Sequence, residues 1–277
     1  MYLNCPEIAA VGIQYGSRRI VCDMFDTTTQ TWSRMPNMRR KRESCAGMIV
    51  TQRGTDNFIY VFGGHNNDVM LDSCEFLDVG KRKWTLLKTN MAMARTNACV
   101  VLLDHTTAVI CGGWDGRNEL TTCESIDLTT HTFSSFPDMM EIRAGHVGVH
   151  YDDTIVVIGG SIEKRTCEKF DKELSMWIRF ASLNEGRDVL GAAVIGDKIY
   201  AVGGNFMNSM EVYDGVLWLV LATVPYPFCT AAAFGRSIVV CDVRKQTVNA
   251  FNTDTHEWVD LPNANRLKWG YTAAVSF

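Results

Sequence analysis

Short apolar runs, separated by polar stretches rich in turn residues, recur along the whole chain. The stretch NFIYVFGGHNNDVMLDSCEFLDVGKRKW (57–84) shows the arrangement. An apolar run ends in Gly63–Gly64, a polar loop follows, and a second apolar run ends at Asp78, six residues before Trp84. Short apolar runs bounded by turn residues are typical of β-strands, and helical periodicity is nowhere convincing. The pattern therefore predicts an all-β fold.

The same pattern occurs six times, which indicates a repeat architecture. Four copies contain a Gly pair: Gly63–Gly64, Gly112–Gly113, Gly159–Gly160 and Gly203–Gly204. The other two copies have Tyr15–Gly16 and Cys241–Asp242 in that place. Each copy also has a polar anchor followed by an aromatic residue: Asp26/Trp32, Asp78/Trp84, Asp127/Phe133, Asp171/Trp177, Asp214/Trp218 and Asn252/Trp258. Three residues before the anchors stand Asp23, Glu75, Glu124, Glu168, Glu211 and Asn249.

The Gly pair, the downstream carboxylates and the Trp resemble kelch repeats over nearly all of the 277 residues. The phrases Gly112-Gly113-Trp114-Asp115-Gly116 and Met93-Ala94-Arg95 are most similar to the repeats of BTB-kelch adaptor proteins. A kelch repeat forms one four-stranded antiparallel propeller blade. The resemblance therefore implies a six-bladed β-propeller.

We expect the two ends of the chain to meet in the first blade. Three strands precede the first linker, and the chain ends with a lone predicted strand, Gly270–Phe277. Pairing this strand into blade 1 would close the ring and remove an open sheet edge. We expect one domain, 1–277, with these limits: blade 1, 8–35 plus 270–277; blade 2, 43–88; blade 3, 95–136; blade 4, 143–180; blade 5, 187–221; blade 6, 228–260.

Composition narrows the class of partner and the compartment. The formal net charge is -4 and the pI about 5.9, which disfavours general binding to nucleic acid or to an anionic membrane. There is no apolar run of about 18 residues and no secretory leader, so we expect no membrane association. The ten cysteines include no C-x-x-C motif and are expected to be reduced thiols of a cytoplasmic, or alternatively nuclear, protein.

The repeated residues have structural explanations. Gly reaches backbone conformations that a Cβ forbids, and the Trp is expected to fill the gap between neighbouring blades. The carboxylates recur in nearly every repeat, so we interpret them as acceptors for backbone or Arg donors and not as catalytic acids. His146 and His150 would lie about 13 Å apart on a strand, too far to share a metal ion. We expect no catalytic residue, no metal and no cofactor.

Binding residues are expected on one rim, because the loop after each Gly pair and the segment entering each innermost strand lie at the same end of antiparallel strands. The candidate partner-binding residues are Arg42, His65, Asn67, Arg95, Asn97, Trp114, Arg117, Arg143, His146, Arg187, Asn205, Phe206 and Trp269. The aromatic residues Trp114, Phe206 and Trp269 have no counterpart in the other repeats, so packing of the repeat does not explain them.

Two interpretations of the arginines remain open. Arg side chains bind carboxylates bidentately and are enriched at binding hot spots, which predicts a short, acidic, extended or turn-like segment as the ligand. Alternatively, each Arg caps its own blade, because it recurs 10 or 11 residues after the repeat aromatic.

The function predicted is a protein-interaction module that is not an enzyme. The resemblance implies the substrate-recognition domain of a cullin-RING ubiquitin ligase adaptor. The cullin would be bound only through BTB and BACK domains, which are not in this chain. The alternatives are a cytoskeletal, actin-type scaffold and, less favoured, a propeller enzyme whose metal would accompany the purified protein.

Overall fold

A computed structural model describes residues 7–14, 19–26, 29, 31–52, 56–67, 69–227, 229–242, 247–262 and 273–276. Every regular element of this part of the chain is a β-strand. In chain order the strands are β1 (Glu7–Gln14), β2 (Arg19–Asp26), β3 (Thr31–Arg34), β4 (Ala46–Gln52), β5 (Asp56–Phe62), β6 (His65–Asn66), β7 (Val69–Met70), β8 (Cys74–Asp78), β9 (Lys83–Leu86), β10 (Cys99–Leu102), β11 (Thr107–Cys111), β12 (Cys123–Asp127), β13 (Thr132–Phe136), β14 (Val147–Tyr151), β15 (Thr154–Ile158), β16 (Cys167–Asp171), β17 (Met176–Phe180), β18 (Gly191–Ile195), β19 (Lys198–Val202), β20 (Ser209–Tyr213), β21 (Trp218–Thr223), β22 (Cys229–Phe234), β23 (Ser237–Asp242), β24 (Val248–Asn252), β25 (Trp258–Leu261) and β26 (Ala273–Ser276). No helix that could span a bilayer occurs in the described ranges.

The strands form four-stranded antiparallel sheets, as an all-β propeller of four-stranded blades requires. Five blades are each built from one continuous segment: blade 2 (β4, β5, β8, β9), blade 3 (β10–β13), blade 4 (β14–β17), blade 5 (β18–β21) and blade 6 (β22–β25). A further sheet has the order β26-β1-β2-β3, in which β26 is antiparallel to β1. The short strands β6 and β7 form a separate hairpin in the loop after Gly64. Two outer strands, β21 and β25, run slightly past the predicted blade limits at Leu221 and Asp260.

The innermost strands of successive blades lie side by side, β4 against β10, β10 against β14, β14 against β18 and β18 against β22. The apolar core fills the spaces between blades, where side chains of two neighbouring sheets meet. Trp84, Trp177 and Trp218 are buried in these spaces. Their indole Nε1 groups donate to carbonyls of the preceding interblade linker: Pro36 at 2.8 Å, Pro137 at 2.9 Å and Ala181 at 2.9 Å. The predicted interblade packing of these Trp residues is confirmed.

The Gly pair is required because neighbouring blades meet there at close range. Both Gly159 and Gly160 have positive φ, and the Gly160 amide donates to the Arg187 carbonyl at the entrance to the next blade, at 2.9 Å. A Cβ on Gly159 would lie 2.4 Å from that carbonyl oxygen, closer than any side chain can stand. The equivalent bonds elsewhere are Gly64 to Arg95, Gly113 to Arg143 and Gly204 to Pro227.

Blade 6 departs from the predicted alignment by one residue. The Asp242 amide donates to the Thr247 carbonyl, as the Gly203 amide does to the Ser209 carbonyl in blade 5. Asp242 therefore stands at the first position of the pair, not at the second as the sequence spacing suggested. The chain between these two bonded residues is shorter in blade 6 than in blade 5. The spacing of the repeat in the sequence alone could therefore not reveal the one-residue shift.

In blades 2 to 6, the polar anchor before the aromatic residue closes the turn between the third and fourth strands. The Asp171 Oδ1 atom accepts the amides of Glu173 and Leu174, both at 2.9 Å. Asn252 does the same for Asp254 and Thr255 in blade 6, which explains why Asn can replace Asp. In two other blades, amide hydrogen bonds of the same kind hold the pKa of the equivalent carboxyls, Asp127 and Asp214, below the usual value.

Candidate protein-binding rim

The two predicted loop sets meet on one face of the propeller, here called the upper rim. Thr96, which leads into β10, exchanges both backbone hydrogen bonds with Trp114, which follows Gly113. Glu43 and His65 form the same pair in blade 2. In blades 4 and 5 one such bond remains, from Ser161 to Ala144 and from Asn205 to Asp188. The predicted common rim is confirmed.

The four repeat arginines lie inside the blades, beneath this rim. Arg42, Arg95, Arg143 and Arg187 are at most 1% exposed. Each forms an ion pair with the carboxylate of its own blade: Glu75 at 2.9 Å, Glu124 at 2.7 Å, Glu168 at 2.9 Å and Glu211 at 3.1 Å. Each also donates through Nη1 to the carbonyl of the first Gly: Gly63 and Gly112 at 2.9 Å, Gly159 and Gly203 at 2.6 Å.

The carboxylates complete this arrangement by binding the interblade linker. The two Glu168 oxygens accept the amides of Met140 and Glu141, at 2.6 and 3.2 Å. The same contacts recur from Glu75 to Arg39 and Arg40, from Glu124 to Ala92 and Met93, and from Glu211 to Asn184 and Glu185. The interpretation of the carboxylates as structural acceptors is confirmed. The assignment of the four arginines as partner contacts is wrong, because their guanidinium groups offer no surface, and the blade-capping alternative holds.

His146 is also buried and cannot contact a partner from its position. It extends from the entrance to blade 4 toward blade 3, where its Nε2 atom lies 3.2 Å from the Cys99 Sγ atom. Hydrogen bonding from the Cys111 thiol, and then the charge of His146, hold the pKa of Cys99 well below the usual value, whereas burial raises the pKa of Cys111. The partner-binding assignment of His146 is therefore wrong. It fills a gap between blades.

The other candidates that the structure describes lie at the surface of the upper rim. Asn67, Asn97 and Arg117 are exposed, and His65, Trp114 and Asn205 are half-buried. Phe206 is 81% exposed, and its φ of 63° lies in the left-handed region that non-Gly residues seldom adopt. Trp269 lies outside the described residues. The structure thus places six polar and aromatic candidates on the same rim as the strongly exposed side chain of Phe206.

A line of left-handed residues on the rim was not anticipated. Ser44, Asn97, Gly145 and Val189 each lie two residues after a buried Arg and have φ between 50° and 65°. Their backbones bond head to tail across blades: Asn97 to Ser44 at 3.0 Å, Gly145 to Asn97 at 2.9 Å and Val189 to Gly145 at 2.7 Å. The constant spacing from the arginines was the available signal. It was missed because only one of the four residues is Gly.

The accessible chemistry of the rim is more apolar than predicted. Ile162, Val189 and Phe206 are exposed on the loops of blades 4 and 5. The charged neighbours Lys164 and Asp188 pair with each other at 3.3 Å, which joins the loops of these two blades. Among the described residues, no three His, Cys, Asp or Glu side chains are grouped so that they could hold a metal ion. The rim is suited to contact with another macromolecule.

Comparison with known proteins agrees with this geometry. Residues 12–204 match the model of the KLHDC2/KLHL20/DRC7 Kelch-repeats domain. The fold and the matched family define a kelch-repeat propeller, and the chain belongs to the kelch-repeat domain family.

Several curated proteins are similar in sequence. Kelch-like protein 24 of Homo sapiens is 31% identical over 140 residues, which cover 48% of this chain and 23% of the relative. Kelch-like protein 25 of Mus musculus is 24% identical over 231 residues, covering 76% of this chain and 37% of the relative. Kelch repeat protein M-T8 of Myxoma virus (strain Lausanne) is 24% identical over 220 residues, covering 76% and 41%. The chain therefore spans less than half the length of these relatives.

A solved structure supports the fold. The structure of YjhT superposes with a TM-score of 0.74 at 12% identity, covering 92% of this chain and 94% of that one. At this identity the likeness bears on the propeller architecture alone.

Proposed function

We propose that this chain is a non-catalytic protein-recognition module that binds a short segment of another protein on the upper rim. The observation that carries the proposal is the exposure of Phe206, Val189 and Ile162 on the joined loops of blades 4 and 5, which buried Arg–Glu pairs fix from below. Exposed apolar side chains on a rigid scaffold are typical of binding surfaces. Membership in the kelch-repeat family supports an interaction module.

The segment bound is expected to present an apolar side chain together with backbone hydrogen-bonding groups. Phe206, Val189 and Ile162 would receive the apolar side chain, and the Asn97 and Asn205 amides could bond the backbone of the segment. The four arginines that favoured an acidic ligand are engaged inside the blades. An acidic residue in the ligand would have to pair with an exposed cation such as Arg117.

We further propose that six blades form a closed ring, with β26 as the innermost strand of blade 1. The antiparallel pairing of β26 with β1 supports this arrangement, as do the positions of β26 beside β22 and β4. The Trp32 indole Nε1 donates to the Pro262 carbonyl at 3.0 Å, which would repeat the interblade contact of the other Trp residues.

In the whole protein, the module would select substrates for a cullin-RING ubiquitin ligase, through BTB and BACK domains outside this chain, in the cytoplasm or the nucleus. The names of the kelch-like relatives support this role, and their greater length leaves room for such domains.

The test begins with selection of binders from a random peptide library displayed on phage. The affinity of the selected peptides is then measured by fluorescence anisotropy for the wild type, for Phe206→Ala and for Leu174→Ala. Leu174 is a matched control, because it is an exposed apolar side chain on a turn between third and fourth strands, at the opposite rim. We expect a loss of about tenfold or more for Phe206→Ala and none for Leu174→Ala. Equal affinity for all three proteins would contradict the rim assignment.

A further inference from the structure

The outer strand of blade 5 presents an unusual apolar surface. Val216, Leu217, Leu219 and Val220 are between 46% and 76% exposed, and only Trp218 among these five consecutive residues is buried. They occupy the turn before β21 and its first half, at the outer circumference of the propeller. Runs of exposed apolar residues are uncommon on a soluble monomer and indicate an interaction surface.

The equivalent positions of the other blades are mostly polar. The two residues that follow the repeat aromatic are Ser33-Arg34, Thr85-Leu86, Ser134-Ser135, Ile178-Arg179, Leu219-Val220 and Val259-Asp260. Within the described chain, only blade 5 exposes two large apolar residues there. The blade architecture therefore does not require an apolar pair at this place.

The surface coincides with an open sheet edge. β21 is the last strand of its sheet, pairs with β20, and has no partner on its other side within the described ranges. An edge strand presents unpaired backbone groups that can pair with another strand, and proteins commonly protect such edges with charged residues. Arg34, Arg179 and Asp260 could serve in this way in their own blades, whereas the stretch Gly215–Thr223 contains no charged residue.

We propose that β21 is a self-association edge, which pairs antiparallel with β21 of a second copy of this chain about a two-fold axis. Self-pairing in this orientation places apolar residues opposite apolar residues and brings no like charges together. The sheet of blade 5 then continues across both molecules. The absence of charge along the strand is the observation that favours a second copy over a charged partner.

The geometry also limits the strength of the contact. The β20–β21 pairing shifts register between Met210 and Glu211, so that Leu221 is left without an opposite residue. Such a bulge increases the local twist and leaves Trp218–Val220 as the regular part of the edge. A contact this short buries less area than a standard protein interface, so the association is weak and depends on concentration.

The experiment is sedimentation equilibrium of the 277-residue chain over a wide concentration range. The wild type should show a reversible monomer–dimer equilibrium, and Leu219→Lys should shift it at least about tenfold toward monomer. Thr85→Lys, at the same position of the outer strand of blade 2, should behave as the wild type does. Hydrogen exchange of β21 amides should slow as the dimer forms.

A pair of oppositely charged variants distinguishes loss of the contact from misfolding. Leu219→Lys and Leu219→Glu should each associate at least about tenfold more weakly than the wild type. Their equimolar mixture should associate again, because an axis through the middle of Trp218–Val220 sets the two copies of residue 219, now oppositely charged, opposite each other. A wild type that stays monomeric at every concentration would overturn the proposal and leave the edge to a different protein. A dimer that persists in Leu219→Lys, or protection outside β21, would overturn it as well.

Discussion

A buried arginine joins three parts of each of blades 2 to 5. In blade 5, the Arg187 guanidinium binds Glu211 on the third strand, the Gly203 carbonyl at the end of the second strand, and the Ser209 carbonyl at the end of the rim loop. Glu211 in turn binds the linker from blade 4 through the amides of Asn184 and Glu185. Burying a charge is unfavourable unless it is paired and hydrogen-bonded, and here both conditions are met.

Replacing Arg187 by Ala should therefore destabilise the fold. The change leaves the Glu211 carboxylate buried without its ion pair, which costs about 3–5 kcal/mol in comparable sites. Urea unfolding followed by tryptophan fluorescence would measure the loss. Arg117→Ala, on the exposed loop of blade 3, should stay within about 0.5 kcal/mol of the wild type. A stable Arg187→Ala protein that lost only its ligand would restore the surface interpretation.

The buried thiols should make stability depend on alkaline pH. Burial raises the pKa of Cys74, Cys167, Cys229 and Cys241 from 9.0 to about 12. Between these values the unfolded chain releases protons that the folded chain retains, so the stability present below pH 9 is lost as pH rises toward 12. Urea unfolding at several pH values should show this decline. Cys167→Ala should reduce its slope by about 1.4 kcal/mol per pH unit, and an unchanged slope would contradict the assignment.

The spacing of the arginines could be read from the sequence, but their burial could not. An Arg that caps a blade and an Arg that lines a rim occur at the same interval from the repeat aromatic. The two kinds of Arg are distinguished by whether a carboxylate on the third strand lies within reach of the guanidinium. That position depends on how the four strands of the blade pair. Glu75, Glu124, Glu168 and Glu211 accompany the four arginines, and Asn249 occurs in the blade that has Pro227 instead. This covariation within one chain was the overlooked signal.

At the level of elements, the turn between the third and fourth strands depends on one side-chain oxygen. Asp171→Ala removes the acceptor of two amides and should destabilise the protein by about 1 kcal/mol. Asp171→Asn keeps an acceptor oxygen in the arrangement that Asn252 has in blade 6, so it should be close to wild type. Thermal unfolding of the two variants side by side would test this. Equal melting temperatures would show that the turn does not need the acceptor.

Strands were predictable because apolar runs and turn residues repeat at a regular interval, and the pairing of neighbouring strands follows from the blade. The β6–β7 hairpin, the bulge at Leu221 and the one-residue shift in blade 6 were not predictable. Each is a local departure from the repeat, in which main-chain hydrogen bonding sets a pairing that differs from the one expected from the spacing of the motifs in the sequence.

At the level of the whole molecule, stability comes from the contacts between blades. Trp177 is 2% exposed between blades 3 and 4, packs on Phe170 and donates to the Pro137 carbonyl. Trp177→Ala should destabilise the propeller by about 3–5 kcal/mol through the cavity it leaves. Trp258 is only half-buried, so Trp258→Ala should have a clearly smaller effect. Unfolding free energies from urea titration would rank the two, and the reverse order would contradict the interblade account.

The Arg–Glu pairs beneath the rim also bear on how this surface changes over generations. The parts that hold the blades in place are separate from the side chains that face outward, so substitutions in the loops after each Gly pair leave the supports intact. A lineage can therefore acquire a new ligand by changing a few loop residues without passing through unstable intermediates. The same separation allows a rim loop to be transplanted from one blade to another, because the recipient blade keeps its own buried Arg–Glu pair beneath the loop.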